Sequence, residues 1–249
     1  SFDLPQTRAF VLEKLKEFGY EPQTVGRAGI TCTVGRGGGK TLLLRGDMDA
    51  LPMTEESGEP FASKNPHAAH TCGHDTHTAM LLGAAKLLMD NKEKVKGRVK
   101  FMFQPGEEGY NGCKNMIANA LLESPHVDAA LGMHSQSASD FATGTIMHTT
   151  GPSAASADGF KVIVHGKGAH GASPEDGIDP INIITHIHLA LQTINSRERV
   201  QREPLILTIG QIIAGDACNI IPESGYFTGT IRTFNQQVRE HAKRRFVEI

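Results

Sequence analysis

Between His67 and His77 the chain reads His-Ala-Ala-His-Thr-Cys-Gly-His-Asp-Thr-His, placing four histidines, one cysteine and one aspartate within eleven residues. Imidazole and thiolate are ligands for zinc and its neighbours in the first-row series. Gly73, between Cys72 and His74, lets the backbone turn so that both side chains face one way. The plain alternative for this segment alone is an exposed polar loop with a chance excess of histidine. A second segment, Phe101-Met-Phe-Gln-Pro-Gly-Glu107-Glu108-Gly, delivers two adjacent carboxylates beyond an apolar run. Neighbouring residues point in different directions, so one carboxylate can hold an ion while the other faces a water molecule. Metal-assisted hydrolysis needs that division of labour, although paired glutamates also occur in ordinary solvated turns.

His134, in Leu131-Gly-Met-His134, follows a third apolar run. Taken singly it reads as a structural histidine. Together, however, the segments supply Cys72, His74, Glu108 and His134 as metal ligands and Glu107 as general base. Leu42-Leu-Leu-Arg-Gly-Asp47-Met-Asp49 adds two carboxylates beyond a fourth run. They could bind metal, orient a ligand histidine or cap local backbone; a supporting role for Asp49 or Asp75 is favoured.

The elements that must position these residues follow from periodicity. Residues 4–19 have the spacing of an amphipathic helix, with Leu4, Phe10, Val11, Leu15 and Phe18 on one face and Gly19 as the stop. Strands are expected at Ile30–Val34, Thr41–Arg45, Val99–Phe103 and Val127–Met133, with helices at Thr76–Asp90 and Cys113–Leu122. This alternation argues for an α/β sheet with helices on its faces, where chemistry gathers at the strand ends.

The pattern changes near Thr150, where Gly151-Pro152 interrupts it. Beyond lie a strand (Gly159–His165), a helix (Ile181–Asn195) capped by Asp179-Pro180, strands at Leu205–Ile213 and Gly225–Thr233, and a helix (Gln236–Val247). This β-α-β-β-α order is one strand short of a split βαβ unit, and an unpaired sheet edge is the expected consequence.

Composition narrows the function classes. The chain has 249 residues, 39% hydrophobic and 21% charged, with a net charge of -2, an ordinary globular balance. Its basic runs, Lys92–Lys100 and Lys243–Arg245, are short, and the first reads as a solvated face; nucleic acid is not expected as a partner. No apolar stretch approaches the ~20 residues of a membrane helix, and Ser1–Phe10 lacks the layout of a signal peptide. Cys32, Cys72, Cys113 and Cys218 are too scattered for a disulfide framework, so a cytoplasmic location is expected.

The motifs RGDMDALP, HTCGHDTHTAMLLGAA, FMFQPGEEG and GMH, in that order, resemble the aminoacylase/carboxypeptidase metallohydrolases. The Cys-Gly-His-Asp form is similar to the amidohydrolase branch of hippurate hydrolases, N-acetyl-diaminopimelate deacetylases and indole-acetyl-amino-acid hydrolases. The resemblance implies an α/β metal-dependent exopeptidase-like catalytic domain, with helices on both faces of a mixed sheet. Into it would be inserted a ferredoxin-like α+β satellite domain used for homodimerisation. The expected boundaries are 1–148 for the catalytic portion and 149–249 for a satellite that is incomplete here, with a catalytic remainder and its last ligand histidine outside the chain.

The resemblance further implies Cys72, His74, Glu108 and His134 as ligands of two divalent ions, zinc or manganese, with cobalt or nickel also admissible, and Glu107 as base. Gly168-Ala-His170-Gly-Ala-Ser-Pro174 is similar to a segment whose histidine reaches a partner subunit's oxyanion. Asn219 and Arg232 match positions that bind a substrate carboxylate; from the residues alone, a loop histidine, a turn residue and a strand-surface charge are the plainer readings. The implied reaction is hydrolysis of an N-acyl amino acid. A dipeptidase or carboxypeptidase with the same chemistry is the alternative. A metal-binding fragment without turnover and a thiol enzyme built on Cys72 and His74 are the others. The last leaves Glu107, Glu108 and His134 without a task.

Overall fold

The computed structural model describes residues 1–136, 141–198 and 202–249, which form two compact units, Ser1–Ala142 and Thr143–Ile249. Most of Ser135–Asp140, the Ser-rich segment beside His134, lies outside the described residues.

In the first unit, strands β1 (Gln23–Val25), β2 (Gly29–Val34), β3 (Arg36–Asp47), β4 (Lys96–Gln104) and β5 (Ala129–Gly132) form one sheet of order β1-β2-β4-β3-β5. The pairs β1–β2 and β2–β4 are antiparallel, whereas β3 runs parallel to β4 and β5. The sheet is therefore mixed, as expected. Side chains alternate across it: Phe101 and Phe103 face Val11, Leu15, Leu81, Leu82 and Ala85, while Leu43 and Met102 face Met116 and Leu121. The first face is covered by α1 (Pro5–Glu17) and α2 (His74–Asp90), the second by α3 (Gly112–Ala118).

Helix α1 ends as its sequence dictates. Gly19 is left-handed, with φ 93°, and Gly19 N–H and Tyr20 N–H donate to the carbonyls of Lys16 and Leu15, each at 2.9 Å. That is the paired closure of a glycine-terminated helix, and it delivers Tyr20 into the core. Phe10, expected on the buried face, is 52% exposed, so the stripe narrows to Val11 and Leu15. Helix α3 stops at Ala118, short of the expected Leu122. Ala120 takes a left-handed φ of 63°, and Leu121 N–H reaches back to Met116 O at 3.1 Å. This closure tucks Leu121 beside Met116 instead of continuing the helix.

Lys100 also departs from expectation. It is buried, and its ammonium donates to the carbonyls of Leu121 and Glu123, so it staples β4 to the turn after α3 and does not form a solvated face. Burial lowers its pKa, against an opposing pull from Glu123.

The second unit runs β6 (Asp158–His165), β7 (Ala169–His170), α4 (Pro180–Arg197), β8 (Leu205–Ala214), β9 (Ile220–Ile221), β10 (Ser224–Thr233) and α5 (Gln236–Glu248). An antiparallel sheet of order β6-β10-β8 packs one face on α4 and α5 through Phe227, Ile231, Ile184, Leu191, Ile194 and Val238. Helix α4 starts as its sequence indicates, with Pro180 in the first turn and Asp179 Oδ1 accepting from Ile181 N–H at 2.8 Å. The two-residue pair β7–β9 was not expected. No helix among the described residues is long and apolar enough to cross a membrane.

Candidate metal centre

Strands β3, β4 and β5 are parallel, so their C-terminal ends open on one edge of the sheet, where ligands gather in such folds. Asp47 ends β3 and Asp49 follows it, Glu107 and Glu108 follow β4, and His134 follows β5. The turn entering α2 brings Cys72 and His74 to the same place. Gly73 makes that turn possible with φ 77°, a conformation other residues adopt only with strain.

His74 is the hub. It is 1% exposed, its Nδ1 lies 2.8 Å from the Asp49 carbonyl, and its buried Nε2 has no hydrogen-bond partner. A carbonyl can only accept, so Nδ1 carries the proton and Nε2 presents a bare lone pair. Around that lone pair stand Glu108 Oε1 at 3.8 Å and Asp47 Oδ2 at 3.7 Å. His134 Nδ1 is likewise satisfied by the Ser135 carbonyl at 2.6 Å, leaving Nε2 free to face Cys72 Sγ at 3.4 Å. The donor atoms of Cys72, His74 and His134 lie within 4.8 Å of one another, as do those of His74, Glu107 and Glu108. Ligands bonded to a tetrahedral ion at 2.0–2.3 Å stand roughly 3.3–3.8 Å apart. With one buried lone pair left unanswered, the donor set fits a divalent cation.

Electrostatics agree. Burial first, then the carboxylates of Glu108 and Glu107, push the Cys72 thiol above its ordinary pKa. A cation among these groups would reverse that pressure and favour the thiolate. Cys32, by contrast, is a core residue whose thiol burial pushes up to about 12. Asp49 organises the glutamates: its Oδ1 accepts from Glu107 N–H at 2.9 Å and its Oδ2 from Glu108 N–H at 3.3 Å. Burial works to raise this carboxyl, and those two backbone donors work to lower it.

Of the residues expected from the sequence, Cys72, His74, Glu107, Glu108 and His134 come together. Asp49 touches the glutamate turn. Asp75 does not join them; it is exposed and lines a cleft with Gln6, Thr7 and Phe10. In the second unit, His170 and Asn219 are neighbours, because His170 pairs with Ile220 and Gly171 N–H donates to Asn219 O at 2.8 Å. Arg232 lies eight residues past Ser224, near the other end of β10, about 26 Å along a strand.

Two buried residues, Asp47 and His77, carry site contacts that the sequence reading left unassigned. Asp47 Oδ1 lies 2.6 Å from His77 Nδ1, and both side chains are 1% exposed. The available signal was the three-residue spacing of His74 and His77, which puts both on one helix face.

Comparison with known proteins bears on the whole of this arrangement. The family model for peptidase family M20/M25/M40 matches residues 43–243. The chain is 42% identical to an N-acetyl-L-cysteine deacetylase of Bacillus subtilis over 98% of its own length and 58% of that protein's. It is 36% identical to a hippurate hydrolase of Campylobacter jejuni, over 100% of this chain and 64% of the relative. The chain thus spans about three-fifths of the curated relatives it matches. A crystal structure of a putative aminohydrolase from Staphylococcus aureus superposes with a TM-score of 0.91 at 35% identity, covering 100% of this chain and 66% of that one. The YXEP protein of Bacillus subtilis, described as a dinuclear metal binding peptidase, follows at 0.78 and 33%, covering 97% and 62%. A match over four-fifths of the sequence, with chemistry-bearing motifs inside it, assigns the chain to peptidase family M20/M25/M40.

Proposed function

We propose that this chain belongs to a metal-dependent amidohydrolase that cleaves the amide bond of an N-acyl or N-aroyl amino acid, releasing the free amino acid and a carboxylic acid. The observation that carries this reading is the unpartnered, buried His74 Nε2, ringed by Cys72, Glu108 and His134 with Glu107 alongside. Cys72, His74, Glu108 and His134 hold divalent ions, two per complete site. Bound there, such ions lower the pKa of a water molecule and polarise the amide carbonyl. Thiolate and imidazole suit zinc, while the carboxylates also admit manganese, cobalt or nickel.

Glu107 accepts the proton of the attacking water and passes it to the leaving nitrogen. His170 has its Nδ1 occupied by Ala172 N–H at 3.1 Å, so its neutral ring carries hydrogen on Nε2. It donates this to the developing oxyanion from a partner subunit. Asn219 and Arg232 bind the carboxylate of the amino-acid half. Since Asn219 precedes β9, ahead of β10, while Arg232 stands near the far end of β10, a joint grip on one carboxylate takes one residue from each of two copies. That ties the assignment to a homodimer in which residues 149–249 act as the satellite domain. The four free thiols support a cytoplasmic setting.

A second reading, a dipeptidase or carboxypeptidase with the same chemistry, draws support from a Saccharolobus solfataricus relative named thermostable carboxypeptidase 2, 42% identical over 95% of this chain. Turnover of N-acetyl, N-benzoyl and indole-acetyl amino acids against dipeptides separates the two readings. The test of the mechanism is Glu107→Gln in the full-length protein. We expect turnover to fall at least ~100-fold with metal content unchanged; undiminished turnover would sink the assignment.

A further inference from the structure

The ligand assignments leave one hydrogen-bonded chain unused. His77 Nδ1 donates to Asp47 Oδ1 at 2.6 Å, and Ser135 N–H donates to His77 Nε2 at 2.8 Å, with Ser135 Oγ 3.0 Å from the same nitrogen. Ser135 directly follows His134, whose Nδ1 bonds the Ser135 carbonyl, and the His77 and His134 rings stack edgewise at 4.5 Å between centroids. On its other side Ser135 meets the turn between Cys72 and His74: a Cβ at Gly73 would lie 2.2 Å from Ser135 Oγ. Residue 135 is thus wedged between the His77 ring and the Cα of Gly73. One face of the wedge belongs to α2 and the other to the ligand turn.

We propose that His77, anchored by Asp47, is a positioning residue that sets the spacing between the Cys72–His74 turn and His134, acting through Ser135. The proposal rests on the reading of Cys72, His74 and His134 as metal ligands. Its physical basis is the tautomer. A ring nitrogen facing an amide N–H must be the bare one, so His77 bears hydrogen on Nδ1, and Asp47 is the acceptor that holds it there. Remove the ring and the half-buried Ser135 amide loses its acceptor, so the strand end carrying His134 is no longer pinned at the distance that lets two ligand nitrogens and a thiolate close on one ion. Groups that orient ligands in this indirect way typically contribute 10–100-fold to metal affinity.

The test is cobalt(II) titration against a competing chelator for wild type, His77→Leu, His77→Gln and His134→Ala, each confirmed folded in the metal-free state by circular dichroism. We expect His77→Leu to bind cobalt(II) about 10–100-fold more weakly and to lose thiolate-to-cobalt absorption. His77→Gln keeps a donor and an acceptor and should recover most of that loss. Wild-type affinity and absorption in His77→Leu, with His134→Ala impaired, would overturn the positioning role and leave the ligand reading standing. Unimpaired His134→Ala would overturn the ligand reading itself. Should His77→Leu fail to fold, nitrogen-15 NMR of the metal-free wild type decides: hydrogen on His77 Nδ1 supports the proposal, and hydrogen on Nε2 overturns it.

Discussion

Glu107 and Glu108 follow one another in the chain, yet both are placed by a single buried carboxylate. Asp49 accepts from each of their backbone N–H groups, so the turn after β4 is held from below while its two side chains face the ligand cluster. An Asp49→Asn substitution keeps the shape but turns one acceptor into a donor, which would then oppose an N–H. A buried donor left without an acceptor costs about 1–3 kcal/mol, and denaturant unfolding should show a loss of that size. An unchanged midpoint would mean that the carboxylate does not organise the turn. The pairing was only half visible in sequence. Two aspartates beyond a strand could be recognised as supporting groups, but their partners lie 58 and 59 residues away, and no local pattern carries that distance.

At the scale of elements, periodicity and capping residues placed the main helices and strands to within a few residues, because apolar spacing and cap chemistry are local properties. The departures have local causes too small to see in a pattern. Helix α3 is cut short by a left-handed alanine, and Lys100 buries its charge because carbonyls of the following turn receive it. In the second unit, Arg239 on α5 grips Asp158 at the start of β6 with two hydrogen bonds of 2.6 Å, from Nε and Nη2. That bonding, against a smaller opposing effect of burial, holds the Asp158 carboxyl below its ordinary value. A carboxyl whose folded pKa is depressed adds stability above its unfolded pKa and loses it as pH falls through the folded one. Asp158→Asn should therefore destabilise the unit by about 1 kcal/mol at neutral pH. The gap from wild type should close as pH drops below about 4. Thermal unfolding at both pH values checks this, and a gap independent of pH would count against the ion pair as its source.

For the whole molecule, the proposed homodimer has the widest consequences, since His170 and one of Asn219 or Arg232 would then act across it. Strand β8 is an edge of its sheet and exposes Ile206, Ile212 and Ile213, with Leu189 of α4 also exposed. Unpaired, apolar edges of this kind invite a second strand. Sedimentation should show a dimer across the micromolar range, and paired Ile206→Lys and Ile212→Lys substitutions should yield a folded monomer. A wild-type chain that sediments as a monomer throughout would remove the partner's role for His170.

Much of this molecule's chemistry was written locally. Cysteine, glycine and histidine in succession, two glutamates past a strand and a histidine past another are matters of residue type and short spacing, and they suffice to put forward the proposed ligand set. Parallel strands then had to bring those segments to one edge. Three things needed the folded chain: which nitrogen of each histidine is bare, which carboxylate serves the backbone, and that Arg232 stands far from Asn219. These follow from contacts closed across tens of residues and from the direction a strand runs, so no window of sequence contains them. His77 shows the difference most clearly. It is one more histidine in a histidine-rich segment until Asp47, 30 residues before it, and Ser135, 58 residues after it, give each of its nitrogens a partner.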